Sequence, residues 1–141
     1  MNSAAWNSFT VTVVVAVTLG SLREDAVIIA MANPTPEIMP DEAKKAGAYV
    51  VGTGRSDFPN QINNVLVFPG LFRGALDARA KTVNREMLLA AARGLQSCVS
   101  DSELSREYIL PYAWDRKAHE AVAEAVKRAA IDTGVSKIYN K

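Results

Sequence analysis

Tyr49-Val-Val-Gly-Thr-Gly-Arg-Ser-Asp-Phe-Pro-Asn-Gln-Ile-Asn-Asn-Val-Leu-Val-Phe-Pro-Gly-Leu-Phe-Arg-Gly74 decides the fold. It opens on an apolar, β-branched run, Ala48 to Val51, which reads as a buried strand. Gly52-Thr53-Gly54 stops that strand, because the backbone needs freedom to turn there. A polar loop with an internal proline follows, Arg55 to Gln61. Behind the amide pair Asn63-Asn64 an apolar segment starts, read as a helix from about Asn63 to Asp77 with a break near Pro69-Gly70. Open α/β sheets bind ligands at loops leaving the carboxyl ends of their strands. Each of the two amides offers a donor pair and an acceptor, and neither titrates. They suit positioning a ligand, not acid–base chemistry.

Upstream, Asp25-Ala-Val-Ile-Ile-Ala-Met-Ala32 is continuously apolar and ends at Asn33-Pro34. A run apolar on both faces suits a parallel strand covered on two sides. Pro34 and Pro36 hold the next segment extended and delay any helix. Pro40 to Gly47 then reads as a short helix, with proline first, acids in the first turn, lysines later and glycine last. Asp41 and Glu42 serve the helix dipole better than they serve catalysis. Strand, helix, strand, helix is the pattern of a parallel α/β sheet.

Downstream, Leu88, Ala91, Ala92, Leu95, Cys98 and Val99 form one stripe of a helix over about Val83 to Val99. Cys98 on that stripe reads as a packed hydrophobe. Asp101 to Tyr108 reads as a short capped helix and connector, and Ile109-Leu110-Pro111 as extended. Asp115 caps a last helix through Ala130, with Ala118, Ala121, Val122, Ala125, Val126 and Ala129 on its packed face. His119, the only histidine, lies off this stripe and reads as a solvated surface residue. The tail after Gly134 reads as a frayed end.

Composition bounds the function. The 141 residues make one domain at most, half apolar and under a quarter charged. A net charge of +1, with no basic run, argues against nucleic acid and anionic membranes. One cysteine precludes an internal disulfide and fits the reducing cytoplasm. Phe9 to Leu19 is apolar, but it is shorter than the roughly 20 residues a membrane span needs and contains Thr10, Thr12 and Thr18. Met1 to Ser8 lacks the basic residues of a signal peptide. The segment reads as a strand or a packed piece. Gly52-x-Gly54 is not a dinucleotide fingerprint, since position 57 is Asp. The sequence shows no metal-ligand cluster, nucleophile–base set or phosphate loop. Asparagines at such places also commonly make turns and caps.

Three motifs carry a resemblance. Asn33-Pro-Thr-Pro-Glu37, Gly52-Thr-Gly-Arg-Ser-Asp-Phe-Pro-Asn-Gln-x-Asn-Asn64 and Phe68-Pro-Gly-x-Phe-Arg-Gly-Ala-Leu76 resemble successive motifs of the malic enzyme nucleotide-binding domain, in order and spacing. The Gly-Thr-Gly-Arg-Ser-Asp form is similar to the short bacterial branch, and points away from the longer malic and malolactic enzymes. The resemblance covers about Asp25 to near the C-terminus and divides the chain into a divergent segment, 1–24, and a domain part, 25–141. It implies an α/β fold, the C-terminal portion of a Rossmann-like parallel sheet flanked by helices. It implies NAD(P)-dependent oxidative decarboxylation of L-malate to pyruvate and CO2, with Mg or Mn as Lewis acid. The amides matching Asn33 and Asn64, and secondarily Asn63, are implied to meet substrate or cofactor. The family's catalytic tyrosine and lysine, its acidic metal ligands and its Gly-rich loop lie upstream of the match. The resemblance therefore implies a fragment that is inactive alone and self-associates or forms a homo-oligomer. The other reading is a non-catalytic interaction module that keeps part of the fold.

Overall fold

The computed structural model describes residues 25–32 and 34–138. The expectations for residues 1–24 and for Asn33 lie outside the described residues. The chain divides into two compact units. One comprises 25–62 with 105–107, the other 63–104 with 108–138.

The first unit holds strand β1 (Val27–Ala30), helix α1 (Pro40–Lys45) and strand β2 (Val50–Thr53). β1 and β2 pair in parallel, Val27 opposite Val50 and Ala30 opposite Thr53. Pro40 opens α1, Asp41 and Glu42 fill its first turn, and Lys44 and Lys45 its last. Gly47, at φ +98°, lets the chain reverse into β2. Ile28, Ala30, Ile38, Ala43, Ala48 and Val51 form the core.

Two sequence expectations are corrected here. β2 runs two residues further than Ala48 to Val51, keeping Gly52 and Thr53 in register with β1. Gly52 stays in the strand because it leaves room for a neighbour. A Cβ there would stand 2.6 Å from Ile62 Cδ1. Only one side of β1 is covered among the described residues, whereas its unbroken apolar run predicts two. Ile28 and Ala30 are buried, while Val27, Ile29 and Met31 are about half exposed. Strand alternation sends these two sets to opposite faces.

The second unit begins with a 3-10 turn, Asn64–Leu66, and continues in helices α2 (Phe68–Asp77), α3 (Arg85–Gln96) and α4 (Arg116–Asp132). The predicted break near Pro69-Gly70 falls at Val67 instead. Pro69 sits in the first turn of α2, where a missing N–H costs nothing. Asn84 caps α3 by accepting from Met87 N at 2.9 Å. Asp115 caps α4 by accepting from Lys117 N at 2.9 Å. The stripes of the three helices meet in one core, with Leu66, Leu71, Met87, Ala91, Leu95, Val122 and Val126 inside.

Glycines set how closely these helices approach. A Cβ on Gly70 would lie 2.6 Å from His119 O, and one on Gly74 2.3 Å from Ala123 O. α2 thus lies against the backbone of α4 through two glycines one turn apart, and no side chain fits between.

Three further expectations change in this unit. No helix forms over 101–108. Ser100 engages the Glu103 carboxylate through its N–H at 3.0 Å, but the result is a turn, and residues 105–107 belong to the first unit. Of the end after Gly134, Val135 and Ser136 are held: Lys81 N donates to Val135 O at 3.0 Å, and the buried Ser136 donates its hydroxyl to Ala78 O at 2.7 Å. His119 is half-buried, not solvated. Its Nε2 is buried without a hydrogen-bond partner among the described residues.

Candidate functional site

The parallel pair has both carboxyl ends on one edge, since Ala30 and Thr53 are in register. Each end continues into a turn held by one side chain. After β1 the chain passes to Pro34 and Pro36, and the Glu37 carboxylate accepts from Ala32 N at 2.9 Å. That bond ties Glu37 back to the chain leaving β1, past two prolines that cannot donate.

After β2 the loop 54–62 leaves and returns. Ile62 N donates to Thr53 O at 2.8 Å, and Thr53 N to Asn60 O at 3.3 Å. Gln61 bridges Thr53 in parallel fashion. At the loop's tip Arg55 forms a two-pronged pair with Asp57, Nε to Oδ1 at 2.8 Å and Nη2 to Oδ2 at 2.5 Å. Its guanidinium also lies 5.3 Å from the Phe58 ring centre. The hydrogen bond from Arg55 holds the Asp57 carboxyl below the usual range. Arg55 is thereby engaged within its own loop and is not set to meet a phosphate. Neither glycine of Gly52-x-Gly54 builds an anion cradle: Gly52 makes room for Ile62, and Gly54 is merely in contact range of Ile62 O.

The amide pair opens the second unit, and its two members behave differently. Asn63 is the N-cap of the 3-10 turn, its Oδ1 accepting from Val65 N at 3.1 Å. It thus makes the cap that asparagine commonly makes at such a place. Asn64 is exposed. Its backbone carbonyl accepts from Val67 N at 3.0 Å. Its side-chain amide makes no hydrogen bond among the described residues. Of the predicted site residues, Asn64 presents its polar group outward, Asn63 divides its own between turn and surroundings, and Asn33 lies outside the described residues.

Sequence reasoning passed over two residues. Glu37 and Asn60 both lie within quoted motifs, yet neither was singled out. The available signals were a carboxylate behind a double proline and an asparagine at a turn.

The other reactive groups carry no site. Cys98 packs on the helical core, its thiol 3.2 Å from Gly94 O, and burial raises its pKa above the ordinary thiol range. No group of three His, Cys, Asp or Glu side chains that could hold a metal occurs among the described residues. No helix among the described residues is long and apolar enough to cross a membrane.

A parallel strand pair with neutral polar loops at its carboxyl edge, followed by helices, defines an α/β unit of the nucleotide-binding kind. Comparison with known proteins gives the family. The model for "Malic enzyme, NAD binding domain" matches residues 2–131. The chain is 58% identical over 118 residues to the bifunctional malic/malolactic enzyme of Bacillus subtilis, covering 84% of this chain and 29% of that protein. It is 45% identical over 124 residues to an NADP-dependent malic enzyme of Salmonella typhimurium, covering 77% of this chain and 16% of that one. The crystal structure of malic enzyme from Pyrococcus horikoshii superposes with a TM-score of 0.79 at 50% identity, covering 84% of this chain and 27% of that one. The chain belongs to the malic enzyme NAD-binding domain family. It spans less than a third of the length of each of these relatives.

Proposed function

We propose that this chain supplies the C-terminal part of the NAD(P)-binding domain, 25–141, to a malic enzyme that converts L-malate to pyruvate and CO2. The observation that carries this reading is the family match over residues 2–131 together with the outward-facing amide of Asn64. Asn64 hydrogen-bonds oxygens of the substrate or the nicotinamide end of the cofactor. Asn33 and, to a smaller degree, Asn63 assist it. Neutral amides do this without adding a charge that competes with a metal.

The described residues do not fit a metal, because they bring no cluster of carboxylates or imidazoles together. The Mg or Mn of the proposed reaction is therefore assigned to ligands outside this chain, as are the proton-transfer groups and the pyrophosphate site. The chain alone does not turn over malate. The cytoplasm is its proposed location, and the half-exposed face of β1 favours self-association.

Isothermal titration of the purified chain with NAD or NADP, with and without malate and Mn, tests the binding role. Saturable heat supports it. A folded chain giving no heat with either cofactor overturns it and favours a non-catalytic interaction module. Metal-dependent pyruvate formation by the chain alone would contradict the assignment of the catalytic groups elsewhere.

A further inference from the structure

We propose that Asn60 is the positioning residue of the loop that leaves the carboxyl end of β2. Its residue is only 6% exposed. One atom, Nδ2, donates to Val51 O at 2.9 Å and to Arg106 O at 2.8 Å. The first bond ties the loop to the strand it came from. The second ties it to a segment 46 residues away in sequence. The backbone carbonyl of the same residue receives Thr53 N. One side chain thus joins β2, the loop and the 105–107 segment.

That segment has its own attachments. Glu107 pairs with Lys44 at 2.7 Å, and the Arg106 guanidinium lies 4.0 Å from the Tyr49 ring centre. Both of those contacts are exposed and screened, and each is worth little. The Asn60 bond to Val51 O is buried and the one to Arg106 O part-buried, and losing the donor removes a partner from both carbonyls.

The position admits almost no other residue. Two carbonyls must be met from one nitrogen, which requires a primary amide. The backbone is left-handed, φ 55°, a region open to Asn and Gly but costly for most side chains. Asp accepts the backbone but offers no donor. Gly accepts it and offers nothing. Gln has the amide but not the tolerance or the reach. The importance of this loop for ligand binding rests on the proposed function. Its order does not, so the test reads order.

The experiment is amide exchange by NMR on the uniformly 15N-labelled whole chain, with tryptic cleavage after Arg55 and Arg106 followed in parallel. Asn60→Gly and Asn60→Asp are expected to speed exchange at Thr53 and Ile62 by about tenfold or more, and cleavage likewise, while amides of α3 and α4 stay within about twofold. A Gly variant as protected as wild type overturns the proposal, since the left-handed backbone would then be the whole requirement. If neither variant folds, the wild-type side-chain amide decides. Slow exchange of the two Asn60 Nδ2 protons supports the double bond, and exchange at the rate of a free amide overturns it. None of these readouts depends on NAD binding, so a chain that fails to bind NAD leaves the test intact.

Discussion

The helical unit and the strand unit use their apolar residues in opposite ways. In the helical unit the stripes of α2, α3 and α4 face each other, and ten residues form one buried cluster. In the strand unit the buried cluster has six residues, and the other face of β1 stays half exposed. A helix has one apolar stripe, and three helices can satisfy one another. A parallel strand apolar on both faces needs cover twice. Among the described residues the helical unit closes its core, and one face of β1 stays half exposed.

The largest effect should come from the helical core. Met87 is fully buried, and Met87→Ala should cost about 2–5 kcal/mol through lost burial and a residual cavity. Chemical unfolding followed by helical circular dichroism measures it. Exchange at β1 and β2 in the same variant shows whether the strand unit unfolds with the helices or apart from them.

Gly74→Ala comes next. The new Cβ would press on the Ala123 carbonyl, an atom of a helix backbone that cannot swing aside. Overpacking of this kind costs about 1–3 kcal/mol. A variant as stable as wild type would show that α2 can retreat from α4 freely.

Ile29→Thr should behave in the opposite manner. Its side chain is 53% exposed, so stability should stay within about 0.5 kcal/mol. Sedimentation should show less self-association. Unchanged association would clear this face of β1 as its cause.

The smallest effect is one of pH. Hydrogen bonds from Arg55 and from Lys44 lower the carboxyl pKa values of Asp57 and Glu107. A lowered folded pKa gives stability that is present above the unfolded range, about 4, and lost as pH falls through the folded value. Nothing should change between pH 7 and 5. Below about pH 4 the tip of the loop should loosen, and the Asp57→Asn variant should lack this acid transition. Both groups are exposed, so the change is local. A carboxyl 13C titration of Asp57 at the ordinary value would remove the prediction.

Much of this architecture was legible from residue order. Pro40 at the start of α1, Asp115 at the start of α4 and Gly47 between α1 and β2 act through local geometry, and local geometry is written in the chain. The packed stripes of α3 and α4 were legible for the same reason. The motifs that carry the family resemblance were legible too, because they depend on identity and spacing alone.

Other features depend on neighbours distant in sequence. The apolar run of β1 predicts cover on both sides, and only the folded unit shows which side is covered. His119 is half-buried, and Gly70 brings α2 against its backbone carbonyl. Ser136, beyond Gly134, is held because its hydroxyl finds Ala78 O, 58 residues away. Residues 101–108 have helix-capping signals, but tertiary placement of 105–107 takes them elsewhere. The amide pair shows the same division within two residues. The sequence determined that Asn63 and Asn64 stand together at the start of a turn. Local geometry makes Asn63 its cap, whereas tertiary structure decided that Asn64 faces outward and that Asn60 holds the loop before them. The reason is physical: caps and periodicity are set by bonds a few residues long, whereas burial and long-range hydrogen bonds exist only once distant segments have met.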